Sequence, residues 1–189
     1  MILIKKKTGI TLGNILDHDD KNILVISVMT AANITIDIAA IYGPSDKDDP
    51  TFFEEVYDTL ERRGNQNKLI IGDWNATLNR SVDERGYISN CHKNVRELLN
   101  IWQENELMFD IHSFWHPGVE SMTWRTKAKD KSSRLDMAWA SGNILSNSFI
   151  NDRIFHSHEV TDHASLRLTI DIETQKNGPG IFRARAGIQ

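Results

Sequence analysis

Asp73 and Asn75 stand two residues apart at the end of the apolar run Leu69-Ile70-Ile71-Gly72. In extended chain that spacing points both side chains the same way. A carboxylate beside a carboxamide can orient a water and hydrogen-bond a phosphate oxygen, the work that phosphodiester hydrolysis requires. A turn or a helix N-cap would use the same residues. A second cluster, Val160-Thr161-Asp162-His163, sets a carboxylate next to an imidazole. Asp162 could orient His163 and raise its basicity or help hold a metal, although neighbouring side chains on a strand point apart. In the third cluster, Ser132-Ser133-Arg134-Leu135-Asp136 follows Thr123-Trp124. On a strand Arg134 and Asp136 share a face, which favours an Arg–carboxylate pair; alternatively Asp136 points into a cleft beside Asp73. The fourth is Ile41-Tyr42-Gly43-Pro44, where Tyr42 closes a strand at a turn and core packing explains it nearly as well. His156 and His158 lack the partners at ligand spacing that a zinc site needs.

The elements that must position these groups read as many short strands with two helices between them. Ile23 to Val28 is a β-branched run, and Ile34, Ile36 and Ile38 alternate with polar residues before Tyr42. Ala31-Ala32-Asn33 is short enough for a hairpin. Asp49-Pro50 opens a helix whose stripe is Phe52, Phe53, Val56, Tyr57 and Leu60. Leu69 to Gly72 suits a strand buried on both faces. A second helix spans about Lys93 to Asn105 on Val95, Leu98, Leu99 and Trp102, and strands follow at Met122 to Arg125, Arg134 to Ala140 and Ala164 to Ile172. This pattern predicts a mixed-sheet α/β sandwich. Residues from 174 onward, with Gly178-Pro179-Gly180, read as a linker and tail.

A chain of 189 residues, 40% hydrophobic and 25% charged, is ordinary for one globular domain. Its apolar runs are too short and interrupted to span a bilayer, and Met1-Ile2-Leu3-Ile4 before Lys5-Lys6-Lys7 reverses the order of a signal peptide, so an intracellular protein without membrane contact is expected. The single cysteine, Cys91, suits a reducing compartment and reads as an inert thiol. A net charge of −4 argues against an extended nucleic-acid-coating surface but suits a carboxylate cluster holding a metal ion.

Taken in chain order, Tyr42-x-Pro44, Gly72-Asp73-x-Asn75, Thr123-Trp124 with Ser133-Arg134-Leu135-Asp136, and Thr161-Asp162-His163 resemble the signature of the endonuclease/exonuclease/phosphatase (DNase I-like) superfamily. The Ser-Arg-Leu-Asp form with Thr-Trp upstream is similar to its apurinic endonuclease branch, and more narrowly to the endonuclease domains of non-LTR, LINE-like retrotransposons. The resemblance runs from Met1 to about Ile172, and Gly178 to Arg183 looks like the segment that follows such domains.

The resemblance implies a four-layer α/β/β/α sandwich of two mixed sheets over residues 1–173, lacking the family's first strands, and a tail over 174–189. It implies a DNA-nicking endonuclease that uses Mg²⁺, with Mn²⁺ as a substitute. Asp73 would orient or deprotonate the attacking water, Asn75 would hydrogen-bond the scissile phosphate, and His163 would stabilise the charge developing on it. Asp162 would orient His163 or join the metal site, Asp136 would support the cluster, and Tyr42 would line the phosphate pocket. Asp73, Asn75, Asp162 and His163 form the implied metal set; Asn75, Thr123, Arg134 and Thr161 form the implied substrate contacts. Trp74, Met137 and Thr161 stand where the family has Phe, Tyr and Ser. The family's N-terminal Asn and metal-ligand Glu precede the stretch that Met1 to Ile4 resembles, so an N-terminally incomplete domain is expected. DNA, a reverse transcriptase domain in a longer parent, a monomeric state and a nuclear location go with this reading. The competing readings are a phosphoesterase on a non-nucleic-acid substrate and a catalytically impaired fragment that binds nucleic acid.

Overall fold

The computed structural model describes residues 10–17, 22–87, 92–147, 149–155 and 161–171. Cys91, His156, His158, the first nine residues and the tail from 174 lie outside them. Strand β1 (Thr11–Asp17), β2 (Ile23–Met29) and β3 (Thr35–Tyr42) form an antiparallel meander. Its second turn closes through Thr30 and Ile34, with Asn33 in the left-handed conformation that Asn tolerates. Helix α1 (Pro50–Glu61) then carries the chain to β4 (Lys68–Asp73), which pairs parallel to β3. Asp49 starts α1 by accepting the N–H of Thr51, with Pro50 at the first position.

Helix α2 (Arg80–Asp83) and β5 (Glu84–Arg85) precede α3 (Lys93–Glu104). The carboxylate that caps α3 comes from far away in sequence: Asp48 accepts from Asn94 and Val95 at 2.9 and 3.0 Å. After β6 (Phe109–Asp110) and α4 (Ile111–Trp115) come β7 (Trp124–Arg125), β8 (Ser132–Ser133), β9 (Asp136–Ala140), α5 (Gly142–Asn147), β10 (Phe149–Phe155) and β11 (Ser165–Asp171). The main sheet runs β1-β2-β3-β4-β9-β6 and is mixed, because β3 and β4 alone pair in parallel. Two antiparallel pieces, β5-β8-β7 and β10-β11, complete the strands. No helix among the described residues is long and apolar enough to cross a membrane.

Alternation sorts the main sheet's residues onto two faces. Ile23, Val25, Ala39, Ile41, Ile70, Met137 and Trp139 pack with Phe53, Val56 and Leu60 of α1 and Val95, Leu99 and Trp102 of α3. On the other face Leu24, Ile26, Ile38, Leu69, Ile71 and Ala138 meet Leu166, Leu168 and Ile170 of β11. That double cover is why Leu69-Ile70-Ile71 is continuously apolar. Helices α1 and α3 thus cover one face of the main sheet, while residues of α4, α5 and β11 cluster on the other, as the expected α/β sandwich requires; the two small sheets are antiparallel.

Three expected strands start later than their sequence pattern, and one difference matters for the site. Arg134 and Leu135 lie outside β9, which begins at Asp136. The shared face of Arg134 and Asp136 that a continuous strand would give is therefore absent.

Candidate active site

The end of the main sheet gathers three of the singled-out residues through register alone. Tyr42 pairs with Asp73 across β3 and β4, and Asp73 pairs with Asp136 across β4 and β9. Paired residues share a face, so the three side chains stand in one row where β3 and β4 finish. Two glycines let the chain crowd together there. A Cβ on Gly72 (φ 152°) would stand 2.0 Å from the Ile41 carbonyl oxygen, and one on Gly43 would stand 2.4 Å from that of Trp74.

The turn after β4 is fixed on both sides. Trp74 is fully buried, stacks on Phe53 with centroids 5.2 Å apart, and donates its indole N–H to the Met137 carbonyl at 3.1 Å. Asn75 takes the left-handed conformation (φ 48°), its N–H reaching Asp73 Oδ1 at 2.9 Å and its Nδ2 donating to the Gly43 carbonyl at 2.8 Å. The Gly43 N–H in turn donates to the Asp73 carbonyl at 2.7 Å. Asp73 is thus held by the backbone around it while Oδ2 faces the opening.

His163 arrives from the other side. Its backbone bridges to Trp124 at the start of β7, Ala164 N–H donates to the Thr123 carbonyl at 2.6 Å, and Thr161 Oγ1 accepts the His163 N–H at 3.2 Å. The ring's Nδ1 lies 2.9 Å from Asp136 Oδ2, and its Nε2 lies 3.9 Å from Asp73 Oδ2. One oxygen or nitrogen from each of Asp73, Asp136 and His163 falls within 4.8 Å of the others.

The electrostatics follow from this packing. Burial raises the Asp73 carboxyl above its ordinary range; the Asn75 N–H pulls it down, the Asp136 charge pushes it up, and the His163 charge lowers it, with a net rise. For His163, burial alone would depress the ring, but the hydrogen bond and charge of Asp136, with the charges of Asp73 and Asp162, outweigh it and hold the imidazolium above its usual value. With Nδ1–H directed at Asp136, Nε2 is left to face a ligand.

Several expected placements differ. Asp162 does not orient His163 and is not in the carboxylate–imidazole group: it is exposed in a bend, and its Oδ2 accepts the Trp124 indole N–H at 3.1 Å. Asp136 orients the ring instead. Asn75 turns its amide nitrogen to the Gly43 carbonyl. Arg134 cannot touch a substrate. It is 2% exposed, with Nε 2.7 Å from Asp83 Oδ1 and Nη2 2.6 Å from Asp110 Oδ2. Thr123 is fully buried, and its Oγ1 accepts the N–H groups of Leu135 and Asp136, both at 2.9 Å. Both residues hold the start of β9 and hence Asp136. Thr161 remains exposed, and Tyr42 is half exposed beside Asp73. Asp83 and Asp110, which fix Arg134, carry no local sequence signal, since their partner lies 51 and 24 residues away.

No protein-family model matches the sequence. Among solved structures, the endonuclease domain of TRAS1, a telomere-specific non-LTR retrotransposon, superposes with a TM-score of 0.60 at 17% identity, over 85% of this chain and 68% of that one. The 3′-5′ exonuclease NExo from Neisseria meningitidis gives 0.60 at 16% identity, over 86% and 70%. The Xenopus laevis APE2 catalytic domain gives 0.56 at 16% identity, over 82% and 58%. The chain has the endonuclease/exonuclease/phosphatase fold. At such identities the likeness is one of fold, and chemistry rests on the site.

Within this fold the donor set fits a divalent metal. Asp73 and Asp136 supply oxygens on adjacent strands, and two carboxylates with water and a substrate phosphate are what Mg²⁺ accepts. His163 adds a nitrogen, which suits a phosphate contact better than a hard cation.

Proposed function

We propose that this chain is a Mg²⁺-dependent phosphodiesterase that nicks DNA, of the retrotransposon endonuclease kind. The observation that carries the reading is the line Asp136–His163–Asp73: a carboxylate holding an imidazole whose other nitrogen faces a second, partly buried carboxylate. Structure neighbours named as a retrotransposon endonuclease, an exonuclease and an APE2 catalytic domain support the substrate class.

Asp73, held by the Asn75 N–H at the end of β4, orients the attacking water in the opening beside His163. His163, kept protonated by Asp136, donates from Nε2 to an oxygen of the scissile phosphate as negative charge builds. Asn75 keeps one amide N–H beyond that given to Gly43 for another phosphate oxygen. Tyr42 walls the open side next to Asp73. Asp73 and Asp136 would hold the ion, which when bound supplies Lewis-acid neutralisation of the phosphate. A longer parent with a reverse transcriptase domain and a nuclear site of action accompany this proposal.

Relaxation of supercoiled plasmid tests it. Nicking is expected with Mg²⁺, abolished by EDTA, and reduced about 10²- to 10⁴-fold in His163→Ala, the usual share of a positioned acid or base. Nicking that survives EDTA or the substitution unchanged would overturn the assignment.

A further inference from the structure

The small sheet β5-β8-β7 separates its residues by charge. Glu84, Ser133 and Trp124 form one row across it, and Arg85, Ser132 and Arg125 form the next. Successive rows face opposite sides. The first turns inward: Ser133 is fully buried, Thr77 donates to Glu84, and the Trp124 indole reaches Asp162. The second lines a cavity of about 400 Å³, joined by Lys129 from the turn between β7 and β8 and by Glu120.

Three cations converge there on a protein whose net charge is −4. Such a cluster repels itself unless an anion sits within it. Among the described lining residues the one carboxylate is Glu120, 2.6 Å from Arg85 Nη2, and both partners are about half exposed or more. An exposed pair of that kind is weak and readily exchanged. The cavity also adjoins the candidate site through the backbone. Arg125 follows Trp124, the bridge partner of His163, and its N–H donates to the Asp162 carbonyl at 3.0 Å.

We propose that this cavity binds a backbone phosphodiester of DNA flanking the one at His163, an inference that rests on the DNA phosphodiesterase reading above. Arg125 and Arg85 present planar forks suited to two phosphate oxygens, with Lys129 as a point charge. Glu120 keeps Arg85 in place until the phosphate displaces it. These contacts grip the backbone and fix the register of the strand at His163 without reading bases.

The test is binding of a labelled duplex oligonucleotide by the whole chain in EDTA across a salt series, for the unaltered protein, the double substitution Arg125→Ala/Lys129→Ala, and Lys93→Ala. Lys93 is an exposed cation on α3 and serves as the control. The slope of log affinity against log salt should fall by about 0.9, the value for one phosphate contact, in the double substitution Arg125→Ala/Lys129→Ala, with several-fold weaker binding, while Lys93→Ala leaves both unchanged. Unchanged slope and affinity in the double substitution, an equal effect of Lys93→Ala, or no binding by the unaltered chain would overturn the proposal. Plasmid nicking by the same preparations separates the two readings: binding with the altered slope but no nicking sinks the hydrolase and leaves the cavity, and nicking with no cavity effect does the reverse.

Discussion

Replacing Arg134 by methionine keeps the aliphatic volume and removes the guanidinium that five hydrogen bonds, to Asp83, Asp110 and Ser113, hold in the interior. Asp83 and Asp110 are 1% and 0% exposed, so the substitution strands two carboxylates away from water. They retain other donors, the N–H groups of Leu78 and Asn79 for Asp83, and the His112 N–H and Ser113 hydroxyl for Asp110, but no cation. Breaking a buried ion pair from one side costs about 3–5 kcal/mol. That is a large part of the roughly 5–15 kcal/mol that holds a domain together. At about 2–4 °C per kcal/mol for this size, melting should fall by roughly 6–20 °C. Urea unfolding followed by tryptophan fluorescence gives the free energy directly. The triple substitution Arg134→Met, Asp83→Asn, Asp110→Asn should recover much of the loss, because neutral amides cost less to bury than lone charges. A loss below about 1 kcal/mol for Arg134→Met, or no recovery in the triple variant, would refute the claim that this ion cluster holds the start of β9.

Asp136→Asn should lower His163's titration, since burial then acts with less opposition, and reduce nicking about 10²- to 10⁴-fold. NMR titration of the ring in metal-free protein reads it, and an unmoved midpoint would contradict the coupling. The sign for stability follows from the same shift: with the folded value above the ordinary 6.5, the protonated ring's contribution is complete below about pH 6.5 and is lost as pH rises through the folded value. Gly72→Ala should cost at least about 2 kcal/mol, because its Cβ meets the Ile41 carbonyl in a backbone conformation that alanine resists; a melting curve matching that of the unaltered chain would show that β3 and β4 can separate without penalty.

The parts of the molecule built from local pattern were readable. Helix α1 had its cap, its proline and its apolar stripe, and β4 had a run apolar on both faces that placed Asp73 at a strand end. Strand β1 gave little signal, since Gly13, Asn14 and Asp17 dilute an edge strand that buries little. The two-residue strands β5 and β8 are too short for any period to register, while β7 is the second half of the strand expected at Met122 to Arg125. The pairing of His163 with Asp136 rather than Asp162 was hidden for a different reason. Adjacent residues suggest a partnership to the eye, but Asp162 sits in a bend and meets Trp124, and the real partner lies 27 residues away at the start of β9.

The same contrast explains why Arg134 is so easily misread. Sequence proximity to Asp136 suggests that it works beside the carboxylate, whereas the chain between them leaves the strand and turns the guanidinium inward. Its N–H donates to the Asp83 carbonyl while its side chain grips Asp83 and Asp110, and two residues on, Thr123 caps the N–H groups of Leu135 and Asp136. Buried, fully paired groups on both sides of Leu135 leave Asp136 little freedom to move. A carboxylate that must hold an imidazole at 2.9 Å needs that rigidity, because the ring itself is only partly buried and is fixed by few other contacts. The arginine nearest in sequence to Asp136 therefore serves the site from the interior, while Arg85 and Arg125 lie one strand row away, on the outer face of the small sheet.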